Sequence, residues 1–292
     1  MTEPPSACLA PAPTARPALL LLHGQPGGAR DWNRVIAELS DQVTAVAIDR
    51  PGWDGDSRPE DLAGNARAAL AALDARGIER ATIVGHSLGG AVAAWLAAEA
   101  PDRVSGLVLA GPAANRASLE WFDRWLTFPV AGPLTAAASL TGLGLALSLA
   151  PVRGWLAREA ELDIAYLRTA GRSLPTGWAR HAFAVEQRSL IHDLPRLEDR
   201  LSVIRAPTWV VTGSADRVVP ASAPQALARP IPGAPDHARR SRAPASPAAR
   251  APPERDDPDR RRRGDRTQPA GGGRRLRGAH RPLTSRSDAR IL

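Results

Sequence analysis

The stretch Ala81-Thr82-Ile83-Val84-Gly85-His86-Ser87-Leu88-Gly89-Gly90 decides the fold. It runs from a short β-branched apolar segment into a Gly-x-Ser-x-Gly pentapeptide and on into the alanine-rich Leu88 to Ala98. That order is strand, tight turn, helix. A serine on so sharp a turn is held in a strained backbone conformation, and bulky neighbours two residues either side would collide, so Gly85 and Gly89 are physically required. The turn exposes the Ser87 hydroxyl at the positive end of the following helix, where unpaired amides can stabilise a developing negative charge. The bare pentapeptide arises by chance often. Strand before it and helix after it make Ser87 a candidate nucleophile rather than a structural turn.

Four other apolar runs end the same way, in loops rich in Gly or bearing Asp. Ala18 to Leu22 ends in HGQPGG, Val43 to Ile48 in DRPGWDGDS, Val104 to Ala110 in GP, and Thr208 to Val211 in TGSAD. Helical patterns separate them at Trp32 to Leu39, Glu60 to Ala75 and Ala221 to Ala228. Such alternation predicts βαβ units and a mostly parallel sheet with helices on both faces. In open sheets of this kind ligands bind beyond the carboxyl ends of the strands, which is where these loops lie.

Between Pro112 and Arg205 the strand pattern stops and the chain reads as helical. So long a connection without structure is excluded, and residues 112–205 are read as an inserted helical cap. The domain order is therefore a flexible lead-in over 1–17, core over 18–111, cap over 112–205, core again over 206–232, and a tail over 233–292. Trp125 to Val152 carries no charged residue, a length that would permit a membrane span. Pro129, Pro133 and the many small residues favour a buried or pocket-lining cap helix instead, with no stable membrane insertion. The bunched Trp121, Phe122, Trp125 and Phe128 read as cap core, and would otherwise suit an apolar acyl group.

The HGQPG, DRPGWDGDS, GHSLGG and VTGSADRVVP segments, in that order, resemble the α/β-hydrolase superfamily in its cap-bearing branch, over about Ala18 to Ile231. The resemblance implies an acyl-enzyme mechanism on an ester or similarly activated carbonyl. It implies Ser87 as nucleophile, Asp216 as triad acid, and the Gln25 and Leu88 amides as oxyanion hole. From the residues alone, Asp216 is a loop carboxylate after an apolar strand, able to orient an imidazole or to cap a helix. His23 and His86 read as loop histidines bonded to backbone or packing beside the turn, and His181 and His192 as surface or structural residues.

The resemblance breaks after Pro232. The family's base is a histidine in a GxGH-like segment some 25 to 30 residues past the acid, following one more strand, and that segment is missing here. His237 follows Asp216 by 21 residues and His280 by 64, neither in such a segment. The last strand and helix are expected to be missing, and the enzyme to be weakened or inactive without its base. Met1 to Pro17 is also too poor in apolar residues for the strand pair that usually precedes the HG strand. In a shifted frame Ser246-Pro247-Ala248-Ala249 permits His-Leu-Leu, 30 residues after Asp216, so the tail reads as a frameshifted version of the family's last elements.

Charge points to the same boundary. The 38 basic residues, all arginine, exceed the 30 acidic ones by 8. Through Pro232 there are 22 Arg and 23 acids; beyond it 16 Arg and 7 acids. With only Leu276, Leu283, Ile291 and Leu292 to bury, the tail is expected to be disordered. A rival reading makes the chain a non-catalytic binder of nucleic acid or acidic surfaces through Arg260 to Arg263 and Arg274 to Arg277. The tail has no aromatic residue for base stacking, so no specific nucleic-acid partner is expected. The single cysteine, Cys8, excludes an internal disulfide. No spacing implies a metal or organic cofactor. The start lacks a basic segment leading into an apolar run, so a cytoplasmic small-molecule hydrolase is the expectation.

Overall fold

The computed structural model describes residues 16–159, 162–213, 222–234 and 239–241. Six parallel strands form one sheet in the order β2-β1-β3-β4-β5-β6. They are β1 (Ala18–Leu22), β2 (Thr44–Ile48), β3 (Ala81–His86), β4 (Val104–Ala110), β5 (Thr208–Gly213) and β6 (Arg239–Ser241). Leu20 and Leu22 face a core shared with α2 (Leu62–Asp74) and α3 (Leu88–Glu99), while Leu21 faces the opposite side with Trp32 and Val84. Burial on both faces is why β1 is an unbroken leucine run rather than an alternating one. Each fully buried leucine contributes about 2 kcal/mol.

Before β2 lies α1 (Asn33–Leu39), and after β5 comes α9 (Ala223–Ala228). The elements follow the sequence reading closely, with one instructive shift. The second helix begins at Leu62 rather than Glu60, because Asp61 caps it: its side chain accepts from the Gly64 amide at 2.6 Å.

Between β4 and β5 stand α4 (Trp121–Trp125), α5 (Ala131–Ser148), α6 (Ala150–Glu159), α7 (Ile164–Ser173) and α8 (Gly177–Glu198). Their own core is aliphatic: Leu140, Leu147, Ala157, Leu167 and Leu174. One expectation needs correction here. Trp121, Phe122, Trp125 and Phe128 are exposed and do not form core; they pair edge to face or tilted among themselves, Trp121 with Phe122 and Trp125 with Phe128. A helix of one turn and the loop after it are too short to carry four large rings inward. The uncharged α5, with mean hydropathy 1.2, is only 28% buried; it packs on α7 and α8, and Leu147 and Ser148 at its end line a cavity, in keeping with the pocket-lining reading. By length and composition it is one helix able to cross a membrane.

β6 was not expected. Arg239–Ser241 pairs parallel with Val211–Gly213 at the sheet edge. Pairing there uses only backbone groups, so an Arg-Arg-Ser segment carries no side-chain pattern to announce it. Gly233 and Ala234 also belong with the folded part, since the Ala234 amide donates to the Ile231 carbonyl at 3.2 Å and Ala234 packs on the core. The lead-in over residues 1–15, Asp216, His237, His280 and the tail beyond 241 lie outside the described residues.

Candidate active site

β3 delivers Ser87 directly into α3, with no intervening loop. Ser87 has φ 52° and ψ −120°, the only positive φ among the described non-glycine residues. That conformation costs of order 1–3 kcal/mol and persists only where surroundings over-determine it. They do. The Ser87 amide donates to the Ala110 carbonyl at 3.0 Å, and its own carbonyl accepts from Gly90 at 2.9 Å and Ala113 at 3.0 Å.

The glycines are forced by contact. A side chain on Gly85 would run into the backbone of Gly89 and Gly90, and one on Gly89 into the carbonyls of Leu22 and His23. One on Gly24 would stand 2.8 Å from His86 Nδ1 and 3.1 Å from Ser87 Cβ. The loop after β1 thus lies directly against the turn. Ser87 is half-buried, and its hydroxyl has no hydrogen-bond partner among the described residues.

Leu88 occupies the first position of the 12-residue α3, where a helix supplies no acceptor for the amide. Gln25 lies in the loop beside it, and its side-chain Nε2 donates to the Phe183 carbonyl of α8 at 2.8 Å. These two residues come from the neighbouring carboxyl ends of β1 and β3, which pair in parallel.

His23 is excluded as a base by its bonds. Its Nδ1 contacts the Gly24 carbonyl at 2.8 Å, and its Nε2 accepts the Arg50 amide at 3.0 Å. The ring is therefore neutral with its proton on Nδ1. Complete burial holds its pKa well below the usual value, and the Arg50 charge adds to this. His181 and His192 are exposed on α8.

Sequence reasoning missed the group beneath this loop. Arg50, fully buried after β2, gives Nε to the His23 carbonyl at 3.1 Å and Nη2 to the Gly24 carbonyl at 3.0 Å. Its Nη1 meets Glu186 Oε1 of α8, whose other oxygen accepts Trp53 Nε1 at 2.9 Å. Burial pushes the Glu186 carboxyl up, while Arg50 and Trp53 hold it down. The only sequence signal was an arginine two residues past an apolar strand. Glu186 stands 136 residues away.

A cavity of about 470 Å³ lined by Ala98, Pro101, Ser202, Ile204 and Pro232 lies at the other end of α3, so it is separate from Ser87. Among the described residues no group of three or more His, Cys, Asp or Glu is placed to hold a metal.

A family model described as the α/β hydrolase fold matches residues 17–244. The chain belongs to the α/β-hydrolase family. Within it, the chain is 30% identical to a protein from Klebsiella pneumoniae (strain 342) named as a candidate carbamate hydrolase, RutD, over 77% of this chain and 84% of that one. It is 44% identical over 99 residues to the dihydrolipoyllysine-residue acetyltransferase component of the acetoin cleaving system of Cupriavidus necator. That match covers 32% of this chain and spans about a quarter of the relative's length, 26%. A solved hydrolase from Pseudomonas aeruginosa superposes with a TM-score of 0.59 at 26% identity, over 78% of this chain and 82% of that one.

Proposed function

We propose that the chain is a serine hydrolase acting on an ester, or a similarly activated carbonyl, of a small apolar substrate. The observation that carries this reading is the strained Ser87 turn between β3 and α3, with a half-buried hydroxyl at the helix N-terminus. In this reading Ser87 Oγ attacks the carbonyl carbon, and the Gln25 and Leu88 amides hold the oxyanion of the tetrahedral intermediate. Collapse expels the leaving alcohol or amine with a proton, leaving an acyl-serine that water then hydrolyses. Asp216 is the acid that would orient the base.

Membership of a hydrolase family supports the reaction class. The candidate carbamate hydrolase named among the relatives supports a carbonyl activated by its heteroatom neighbours. Support for an apolar acyl group comes from the surroundings of Gln25, where Phe183 packs with Trp53, Ala179 and Ala182. His23 is saturated and His181 and His192 are exposed on α8, so none of these three serves as the base in this reading.

The test is hydrolysis of p-nitrophenyl butyrate by the full chain. A rate above buffer that Ser87→Ala removes supports the proposal. A rate that Ser87→Ala leaves unchanged overturns it.

A further inference from the structure

The inserted helices form a second concavity, with no lining residue in common with the Ser87 turn. An open concavity of about 320 Å³ is lined by Leu147, Ser148, Arg153, Arg168 and Arg172, the last two exposed. Leu147 and Ser148 end α5, Arg153 comes from α6, and Arg168 and Arg172 stand one turn apart on α7. Residues four apart on a helix share a face, and like charges so placed are destabilising. No carboxylate pairs with any of the three arginines among the described residues. Arg153 Nη1 donates to the Leu147 carbonyl at 2.7 Å, which anchors that guanidinium at the cavity and leaves the rest of its donor fork uncommitted.

Helix dipoles explain part of this. A cation beside the C-terminal carbonyls of α5 or in the last turn of α7 is favourable. Arg168 lies in neither place, and dipoles do not explain why three cations converge on one concavity without a counter-charge. We propose that this cavity binds a phosphate group, as a phosphomonoester or phosphodiester. Guanidinium forks match phosphate oxygens in pairs; a phosphomonoester dianion presents three terminal oxygens to the arginines and a phosphodiester monoanion two. Leu147 in the lining, with Leu145 and Leu149 exposed beside it, supplies an apolar margin for the rest of the ligand. The volume lies at the lower end for small-molecule sites. Two sources carry this chemistry: a phospholipid headgroup and a soluble phosphorylated molecule.

Titration calorimetry of the full chain with sodium phosphate, against chloride at matched ionic strength, tests the site. Saturable phosphate binding is expected, weakened at least tenfold in R168A/R172A and partly retained in R168K/R172K. Arg76→Ala should leave it unchanged, because that arginine also donates to a helix carbonyl, Ala72 O, but lies outside the cavity. If R168A/R172A loses its far-ultraviolet circular dichroism, R168Q/R172Q replaces it. Sedimentation with phosphatidylglycerol vesicles then separates the sources, the arginine-rich tail being common to wild type and variant. Vesicle binding reduced in R168A/R172A assigns a lipid headgroup; phosphate binding without such a reduction assigns a soluble ligand. Phosphate heats equal to chloride, or equal in wild type and R168A/R172A, overturn the proposal.

Discussion

Arg50 and Glu186 form an ion pair from which water is excluded, with side chains 0% and 1% exposed, and it joins the loop beneath the Ser87 turn to the inserted helix α8. Arg50 also holds the two carbonyls of His23 and Gly24. One guanidinium thus fixes the loop that carries Gln25 from below, while α8 fixes it from the side through Phe183.

Removing one member of such a pair leaves the other charged and unpaired in the interior. Glu186→Gln is expected to destabilise the fold by about 3–5 kcal/mol in urea unfolding. Arg50→Met with Glu186→Leu should cost clearly less than the sum of the single changes. Additive losses would mean that the two side chains are not coupled.

Asp31 gives the fold a pH dependence of known sign. Burial pushes its carboxyl up to about 6, and Asp49 acts in the same direction, against the Gly28 amide and Arg50. The native state therefore holds this proton more tightly than the unfolded chain, whose aspartates titrate near 3.9. Stability from Asp31 is full below that value and is lost as pH rises toward 6. The difference in unfolding free energy between wild type and Asp31→Asn should fall by about 1–2 kcal/mol from pH 4 to pH 7, discounted for partial exposure. A flat difference across that window contradicts the assignment.

Glycine substitutions should split by surroundings. Gly89→Ala drives a side chain into the Leu22 and His23 carbonyls and should cost more than about 3 kcal/mol or abolish soluble expression. Gly142→Ala on α5 meets nothing within 4 Å and should stabilise by about 0.5–1 kcal/mol. Ser87→Gly should raise stability by about 1 kcal/mol over Ser87→Ala, since glycine carries no penalty at φ 52°. Thermal unfolding of the three variants checks this ordering.

The parallel sheet was legible because its strands are apolar on both faces and each ends in a loop with its own glycine or aspartate signature. The Ser87 turn was legible because the glycines around it are required by backbone contact. What stayed hidden depends on distance or on the backbone alone. Glu186 reaches Arg50 only when the insertion folds back, and nothing in its local helix distinguishes it from a surface acid. β6 rests on peptide groups common to every sequence. Trp121 and Trp125 misled for a related reason, because composition says how apolar a segment is but not which way a single turn faces.

The central claim, that Ser87 is the nucleophile, is tested most directly by intact-mass analysis of the full chain after exposure to a fluorophosphonate. The expected result is a single adduct that maps to the Gly85–Gly89 turn and is absent from Ser87→Ala. No adduct under conditions that label a serine esterase, or an adduct that persists in Ser87→Ala, would contradict it.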